Sequence, residues 1–170
     1  MPVDIPTLLR TFPREGRVDW IGCSPARKAP IDEVDEVFVR VGTGLDGDRH
    51  AQSGRGKRQV TLIQVEHLAV VQALTGKEVA FRDLRRNLAV SGINVWALKD
   101  RIFRVGEALL EGTGPCAPCN RMEENLGPGG YNAMRGHGGI TARVLEEGWV
   151  RRGDPVVFVD GDGDPSLTQP

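Results

Sequence analysis

The 170-residue chain has a formal net charge of −1 and is 39% hydrophobic and 26% charged. Such a composition is typical of one globular domain with its own core, and the small net charge predicts neither a nucleic-acid partner nor a membrane surface as partner. No apolar run approaches the ~20 residues of a membrane span, and residues 1–18 lack the pattern of a signal segment. Three cysteines do not make a disulfide framework. We therefore expect a cytoplasmic protein with free thiols.

Arginine dominates the positive charges. Only four of the 22 basic residues are lysines, which leaves 18 arginines. The planar guanidinium group suits paired hydrogen bonds to phosphate or carboxylate. GC-rich codon usage explains such a total equally well, so only clusters of arginines indicate a binding site.

Short strands account for most of the chain. In residues 33–41 the alternation places Val37 and Val39 on one face and Phe38 on the other. Together with 22 glycines and 11 prolines, this pattern predicts a mainly β fold, a barrel-like sheet with a few short helices. We expect an N-terminal extension over 1–16, one domain over 17–160 and a flexible tail over 161–170. The predicted strands are 17–22, 33–41, 58–63, 87–91, 101–105, 108–111 and 155–159.

One segment changes to helical spacing. Apolar residues recur at intervals of three and four between Gln64 and Leu74, and the pattern ends at Gly76. The sequence therefore predicts a helix that begins at Gln64.

Two glycine-containing motifs resemble ligand loops but lack the context that those loops need. Residues 42–47 match G-x-G-x-x-G, yet no helical pattern follows, so they are predicted to turn the chain between strands. Residues 160–164 resemble the start of a calcium loop, but the required later glycine and glutamate are missing. That segment is predicted to be solvated tail.

The C-x-x-C pair formed by Cys116 and Cys119, in GPCAPCNRMEE, has three interpretations. A structural zinc site needs four ligands, and none of the other candidates is paired with it at zinc-finger spacing. A thioredoxin-like disulfide needs a parallel βαβ frame that the chain lacks, although a disulfide switch remains an alternative. The third interpretation is one working thiolate. The other candidate zinc ligands are Cys23, His50, His67 and His137.

Cys119 is the better candidate for that thiolate. A helix beginning at Asn120 would direct unpaired backbone N–H groups towards its sulfur, and Arg121 would add a positive charge. Both effects favour the thiolate form, which binds metals and carries sulfur. Cys116 lies earlier in the loop and is expected to pack there or to shield Cys119.

A second group of candidates lies in LRRNLAVSGIN. Arg85 and Arg86 would point to opposite faces of an extended chain, so only one of them faces inward, beside Asn87. Solvated arginines at the entrance of a strand are the alternative. Gln64 at a helix start would add an anion site. A thiolate with several phosphate-suited groups indicates a phosphorylated ligand that contains a soft metal.

Five segments occur in this order along the chain: GTGLDGDRH, RQVTLIQVEHL, LRRNLAVSGIN, FRVGEALLEGTGPCAPC and GHGGITARVLEEGWVRRGDPVVF. Through them the chain resembles the MOSC domain, named from the C-terminal part of molybdenum cofactor sulfurase, and in particular its short stand-alone bacterial members. This resemblance implies a β-barrel and a molybdenum cofactor. It implies that Cys119, within Pro-Cys-Asn-Arg-Met, ligates molybdenum beside the pterin, and that Arg85, Arg86 and Asn87 hold the pterin or its phosphate; Gln64 is a weaker match.

Several functions follow from this resemblance. The first is a molybdenum-dependent oxidoreductase that removes oxygen from N-hydroxylated small molecules and takes electrons from a separate reductase. The second is a sulfur carrier that holds a persulfide on Cys119, supplied by a sulfur donor, and the third is a cofactor-binding module without turnover. The pyridoxal-phosphate domain of the larger sulfurase is not expected in this chain. His50 and His137 lie in polar glycine-rich loops and are either proton donors or surface residues.

Overall fold

A computed structural model describes residues 2–49 and 56–159 of the chain. The predicted tail over 161–170, the calcium-loop-like residues 160–164 and His50 lie outside the described residues. Within the described ranges, no helix is both long and apolar enough to cross a membrane.

The helices are short. Their bounds within the described residues are α1 Ile5–Leu9, α2 His67–Thr75, α3 Phe81–Leu84, α4 Asn120–Leu126 and α5 Gly130–Met134, and a 3₁₀ helix covers Val95–Leu98. The strands are β1 Gly16–Cys23, β2 Asp32–Glu33, β3 Glu36–Arg40, β4 Gly44–Leu45, β5 Val60–Gln64, β6 Leu88–Ser91, β7 Ile102–Val105, β8 Ala108–Pro115, β9 Ile140–Glu146, β10 Gly148–Arg151 and β11 Pro155–Phe158.

Seven strands close into a barrel, which confirms the predicted fold class. Their order is β11-β7-β8-β9-β5-β6-β1, and β11 closes the ring by pairing with β1 at Gly16 and Val156. The β5–β6 pair is parallel, whereas the other pairings in the ring are antiparallel. A smaller antiparallel sheet, β10-β3-β4, packs its buried residues Val39, Leu45 and Val150 into the same core.

Both faces of the central strands are covered. Val60 and Leu62 of β5 belong to the cluster inside the barrel, whereas Ile63 belongs to a second cluster beneath the helices. Every residue of β5 is therefore buried. The buried members of the second cluster are Trp20, Ile63, Val71, Val79, Leu84, Ala89, Met122, Leu126 and Met134.

Two predicted elements need correction. The helix predicted to begin at Gln64 begins at His67, because Gln64 still belongs to β5 and pairs with Val90 of β6. The strand predicted over 33–41 is divided into β2 and β3, and Val41 lies exposed beyond the end of β3. The G-x-G-x-x-G segment is a turn around β4, as predicted. The sequence did not predict β4, β9, β10, α1, α3 or α5.

Candidate functional site

Loops from five parts of the chain meet, and hydrogen bonds join them directly. Arg85 Nη1 donates to Ala29 O, and the Arg49 N–H donates to Ser24 O. Arg86 in turn contacts the cysteine loop and the glycine-rich loop that follows α5. The candidate residues scattered through the sequence are therefore brought together.

The two loop cysteines occupy opposite environments. Cys119 is exposed and stands immediately before α4, which begins at Asn120 as predicted, and its side chain makes no capping hydrogen bond. Cys116 is buried at 1% exposure, which confirms that it packs within the loop. The third thiol is also buried, and burial, followed by the negative charges of Asp48 and Asp32, raises the pKa of Cys23 to about 12. Cys119 is thus the thiol that a ligand can reach.

Arg86 is a buried cation that holds the cysteine loop in place. Its Nε donates to Gly138 O at 2.9 Å, Nη1 donates to Leu84 O at 2.8 Å, and Nη2 donates to Cys116 O at 3.2 Å. Burial lowers the pKa of Arg86, and the three carbonyls accept hydrogen bonds from three of its five N–H donors. This geometry favours a structural role over the predicted ligand-binding role, because each guanidinium nitrogen already donates to the protein itself.

Arg85 faces the site instead. It has a left-handed backbone with φ of 56°, so the chain is not extended here as the sequence argument assumed, and the Arg85 and Arg86 side chains reach different partners. Besides Ala29 O, its guanidinium donates to Ser24 Oγ at 2.9 Å. Burial lowers the pKa of Arg85, and the nearby positive charges of Arg121 and Arg49 lower it further. Such a concentration of positive charge favours an anion.

Asn87 connects strands rather than facing a ligand. Its Oδ1 accepts hydrogen bonds from the backbone N–H and hydroxyl of Thr61 at 3.0 and 3.1 Å. Its Nδ2 donates to Gly22 O at 3.2 Å and to Asp48 Oδ2 at 2.9 Å. These contacts use the hydrogen-bonding capacity of the buried amide, so Asn87 positions the loops around the site.

Gln64 makes its hydrogen bonds within the protein and does not lie at a helix N-terminus. Its Oε1 accepts from the backbone N–H of Val95 at 2.8 Å, and its Nε2 donates to Glu66 Oε2 at 2.5 Å. The amide is buried between β5 and the 3₁₀ helix. The expected anion-binding role of Gln64 rested on a helix start that lies three residues later in the chain.

His137 lies against His67 in an edge-to-face contact with ring centroids 4.8 Å apart. Burial lowers the pKa of His67, the proximity of the His137 imidazole lowers it further, and Glu66 acts in the opposite direction. Nδ1 of His137 is buried without a hydrogen-bond partner among the described residues. The sequence did not predict this pairing, because the two histidines lie 70 positions apart.

A groove of about 450 Å³ runs beside the exposed sulfur. Tyr131 and Glu124 on its wall carried no recognisable sequence signal, since an aromatic ring after G-P-G-G is an ordinary surface feature. Within the described part of the chain, no three histidine, cysteine or acidic side chains are grouped to hold a metal, so the zinc interpretation has no support there. The groove is lined by Pro118, Cys119, Asn120, Arg121, Glu124 and Tyr131.

Comparison with known proteins gives one family and several similar folds. The structure superposes on the YuaD protein from Bacillus subtilis with a TM-score of 0.71 at 19% identity, covering 86% of this chain and 97% of that one. YiiM from Geobacillus stearothermophilus gives 0.71 at 20% identity, covering 87% and 77%, and YiiM from Escherichia coli gives 0.69 at 23% identity, covering 89% and 73%. These identities are low, so the superpositions show a shared fold alone.

No curated protein matches the chain. The family model that matches is the MOSC domain, over residues 46–157, which is more than half of the chain and includes Arg85 and the cysteine loop. Its matched region also contains five of the seven barrel strands completely and β11 up to Val157, and only β1 precedes it. The chain therefore belongs to the MOSC domain family.

Proposed function

We propose that this protein binds the molybdenum cofactor through Cys119 and uses it to reduce N-hydroxylated small molecules. The MOSC family is associated with molybdenum cofactor binding. The observation that carries the proposal is the exposed Cys119 sulfur, located in the same loop cluster as the positive charges of Arg85 and Arg121.

The residues present fit such a cofactor. A single exposed thiolate suits a soft metal whose other ligands belong to the cofactor itself, and the described residues offer no competing set of protein ligands. The cationic loops around Arg85 suit an anionic phosphate. Cys119 would hold the metal, and Arg85 and Arg121 would hold the phosphate-bearing part.

The protein's own part in the reaction is binding and orientation. The bound cofactor supplies two-electron oxygen-atom chemistry. In that reaction the substrate's N–O bond would break, its nitrogen and its leaving hydroxyl group would each gain one proton from solvent to give the reduced product and water, and a separate reductase would supply the two electrons. Arg86 and Asn87 keep the loops in register so that Cys119 stays beside the cationic cluster.

Substitution of the two loop cysteines tests this proposal. In a host that makes the cofactor, Cys119→Ser removes the soft sulfur with little change in shape, so we expect bound molybdenum to fall at least ~10-fold and reductase activity at least ~100-fold. Cys116→Ala is the matched control, because its sulfur is buried, and it is expected to keep most of both. Metal analysis, pterin fluorescence and turnover of an amidoxime measure the outcome. Wild-type protein without molybdenum or pterin would contradict the proposal, and loss of metal only in Cys116→Ala would identify the other thiol.

A sulfur-carrier function is the second candidate, and the exposure of Cys119 favours it. A partner can reach this sulfur through the open groove. The Cys119 thiolate would attack the outer sulfur of the donor's persulfide, form a new S–S bond and release the donor's thiolate. After incubation with a cysteine desulfurase and cysteine, mass spectrometry would then find one added sulfur on the Cys119 peptide and none on buried Cys23. An unchanged Cys119 peptide would remove this candidate.

A further inference from the structure

A second groove, of about 570 Å³, lies between α1 and the 3₁₀ helix. Its wall is largely apolar: Leu8 and Leu9 of α1 are 52% and 54% exposed, and Trp96 of the 3₁₀ helix is 51% exposed. Clefts of this size that are lined mainly by apolar and aromatic side chains accommodate small molecules. The groove therefore offers an apolar surface that a ligand can cover.

This groove is separate from the candidate site around Cys119. Arg85 precedes the first residue of β6, whereas Gly92 and Ile93, which line the groove, follow its last residue. Arg85 and the groove thus lie at opposite ends of this strand. A ligand in the groove does not compete with a ligand at Cys119.

Contacts with the barrel hold α1 in place as one wall of the groove. Phe12, which follows the helix and lines the groove, lies against Phe158 of β11 with ring centroids 5.0 Å apart. Both rings pack against the core of the barrel. The helix itself is capped by Asp4, whose Oδ1 accepts a hydrogen bond from the Thr7 N–H at 2.8 Å. The groove is formed without a ligand, which reduces the entropic cost of binding.

Arg101 adds a positive charge to the lining of the groove. Its side chain is half-buried, and in residues 2–49 and 56–159 its guanidinium group makes no hydrogen bond or ion pair. The charge of Lys99, by contrast, is compensated by an ion pair with Asp100. A guanidinium group suits paired hydrogen bonds to a carboxylate. One unpaired positive charge matches a carboxylate better than a phosphate group, which carries nearly two negative charges at neutral pH.

We infer that this groove binds a small amphipathic carboxylate, of the chemical class of a medium-chain fatty acid. The apolar chain lies along Leu8, Leu9 and Trp96, and the carboxylate pairs with the Arg101 guanidinium group. A neutral apolar molecule would cover the same surface but would leave the arginine without a partner. This inference is independent of the proposed function, because the groove shares no lining residue with the groove beside Cys119.

Tryptophan fluorescence with octanoate tests the site, because Trp96 lies on the groove wall whereas Trp20 is buried. We expect a saturable shift of the emission to shorter wavelength, which Trp96→Phe abolishes. Hexanoate is expected to bind roughly 10-fold more weakly, since two fewer methylene groups are buried. Octylammonium has the same chain with the opposite charge and is expected to bind at least ~10-fold more weakly than octanoate.

Substitution of Arg101 tests the part played by its charge. Arg101→Gln is expected to weaken octanoate binding about 10-fold in calorimetry and to leave the binding of neutral octanol unchanged. The variant is expected to fold, because the backbone N–H of Arg101, which donates to Leu98 O at 3.1 Å, is retained. Arg135→Gln is the matched control, since Arg135 is exposed and lies outside the groove, and it is expected to keep the wild-type affinity.

Equal affinities for octanoate and octylammonium, or an unchanged octanoate affinity in Arg101→Gln, would overturn the inference. Sedimentation of the same protein distinguishes the other occupants of an apolar groove. A stable dimer that does not bind octanoate would assign the groove to a second copy of the chain. Co-sedimentation with phosphatidylglycerol vesicles, without octanoate binding, would assign it to a membrane surface. Either result would replace the carboxylate as the occupant.

Discussion

Arg85 and Arg86 are neighbours in the chain with different tasks. Arg86 donates hydrogen bonds to three backbone carbonyls in the interior, whereas Arg85 adds its positive charge to the cluster around Cys119. The left-handed backbone at Arg85 separates the two directions. The candidate site thus consists of the exposed Cys119 sulfur with Arg85 and Arg121 near it, and Arg86 holds the surrounding loops in position.

Replacing Arg86 by lysine is expected to destabilise the fold although the charge is kept. One ammonium group cannot reach three carbonyls in different directions, so at least two lose their donor, at a cost of roughly 2–3 kcal/mol in the free energy of unfolding. Urea unfolding measures the loss. Arg82→Lys is the matched control, because its side chain is 65% exposed and its ion pair with Glu33 spans 3.8 Å; we expect a change within about 0.5 kcal/mol. Equal losses in the two variants would contradict the bracing role of Arg86.

The parallel pairing of β5 with β6 explains where Arg85 lies. Parallel strands start at the same end of a sheet, so the loop before β6, which carries Arg85, lies at the same barrel end as the chain entering β5. The connection between these strands contains α2 and α3. The glycine-rich loop before β9 is not brought there by strand direction, because β9 runs antiparallel to β5, and the long Arg86 side chain links the two by donating to Gly138 O.

Gly139 in that loop is expected to tolerate no side chain. A Cβ at this position would lie 1.8 Å from Leu62 O of β5, and φ is +82°. Gly136 has a nearly identical φ of +80° but open space around it, so Gly136→Ala carries the backbone cost alone, about 1 kcal/mol. We expect Gly139→Ala to lose at least ~2 kcal/mol more in unfolding free energy. Similar losses in both variants would show that the loop moves away from β5 without cost.

The sequence was informative where the signal was local. Short segments bounded by glycine, aspartate or proline predicted most of the barrel strands, and the helical pattern of RMEENL predicted the start of α4. The roles of Arg86, Asn87 and Gln64 depended on partners 26 to 65 positions away, such as Thr61, Gly138 and Gly22, and no local pattern in the sequence indicates those partners. Strand β9 was missed because Thr, Ala and Arg interrupt its apolar pattern, while pairing on both edges by β5 and β8 holds it in the sheet.

At the scale of the whole molecule, the loops around Cys119 and the barrel are one unit. The cysteine loop is hydrogen-bonded to the glycine-rich loop through Cys116 N–H and Gly139 O at 2.9 Å, and both are bound to Arg86. A ligand that binds only this folded arrangement stabilises the entire domain by mass action.

Loading of the molybdenum cofactor is therefore expected to raise the melting temperature. At occupancy near saturation we expect a rise of roughly 5–10 °C over protein from a host unable to make the cofactor. Calorimetry of the two preparations measures it, and Cys119→Ser from the same two hosts is the control that should show little difference. Identical melting temperatures for loaded and unloaded wild-type protein would contradict binding at the folded loops.

Closure of the barrel by β11 also has a consequence for biosynthesis. Gly16 of β1 and Val156 of β11 pair where the barrel closes, and they lie 140 positions apart in the chain. Strand β1 therefore has no β11 to pair with until β11 has been translated. Chains emerge from the ribosome starting at the N-terminus, and contacts this distant in sequence form slowly. The nascent polypeptide thus cannot close the barrel before β11 has been made, and under the proposed function we expect the cofactor to bind only after that closure.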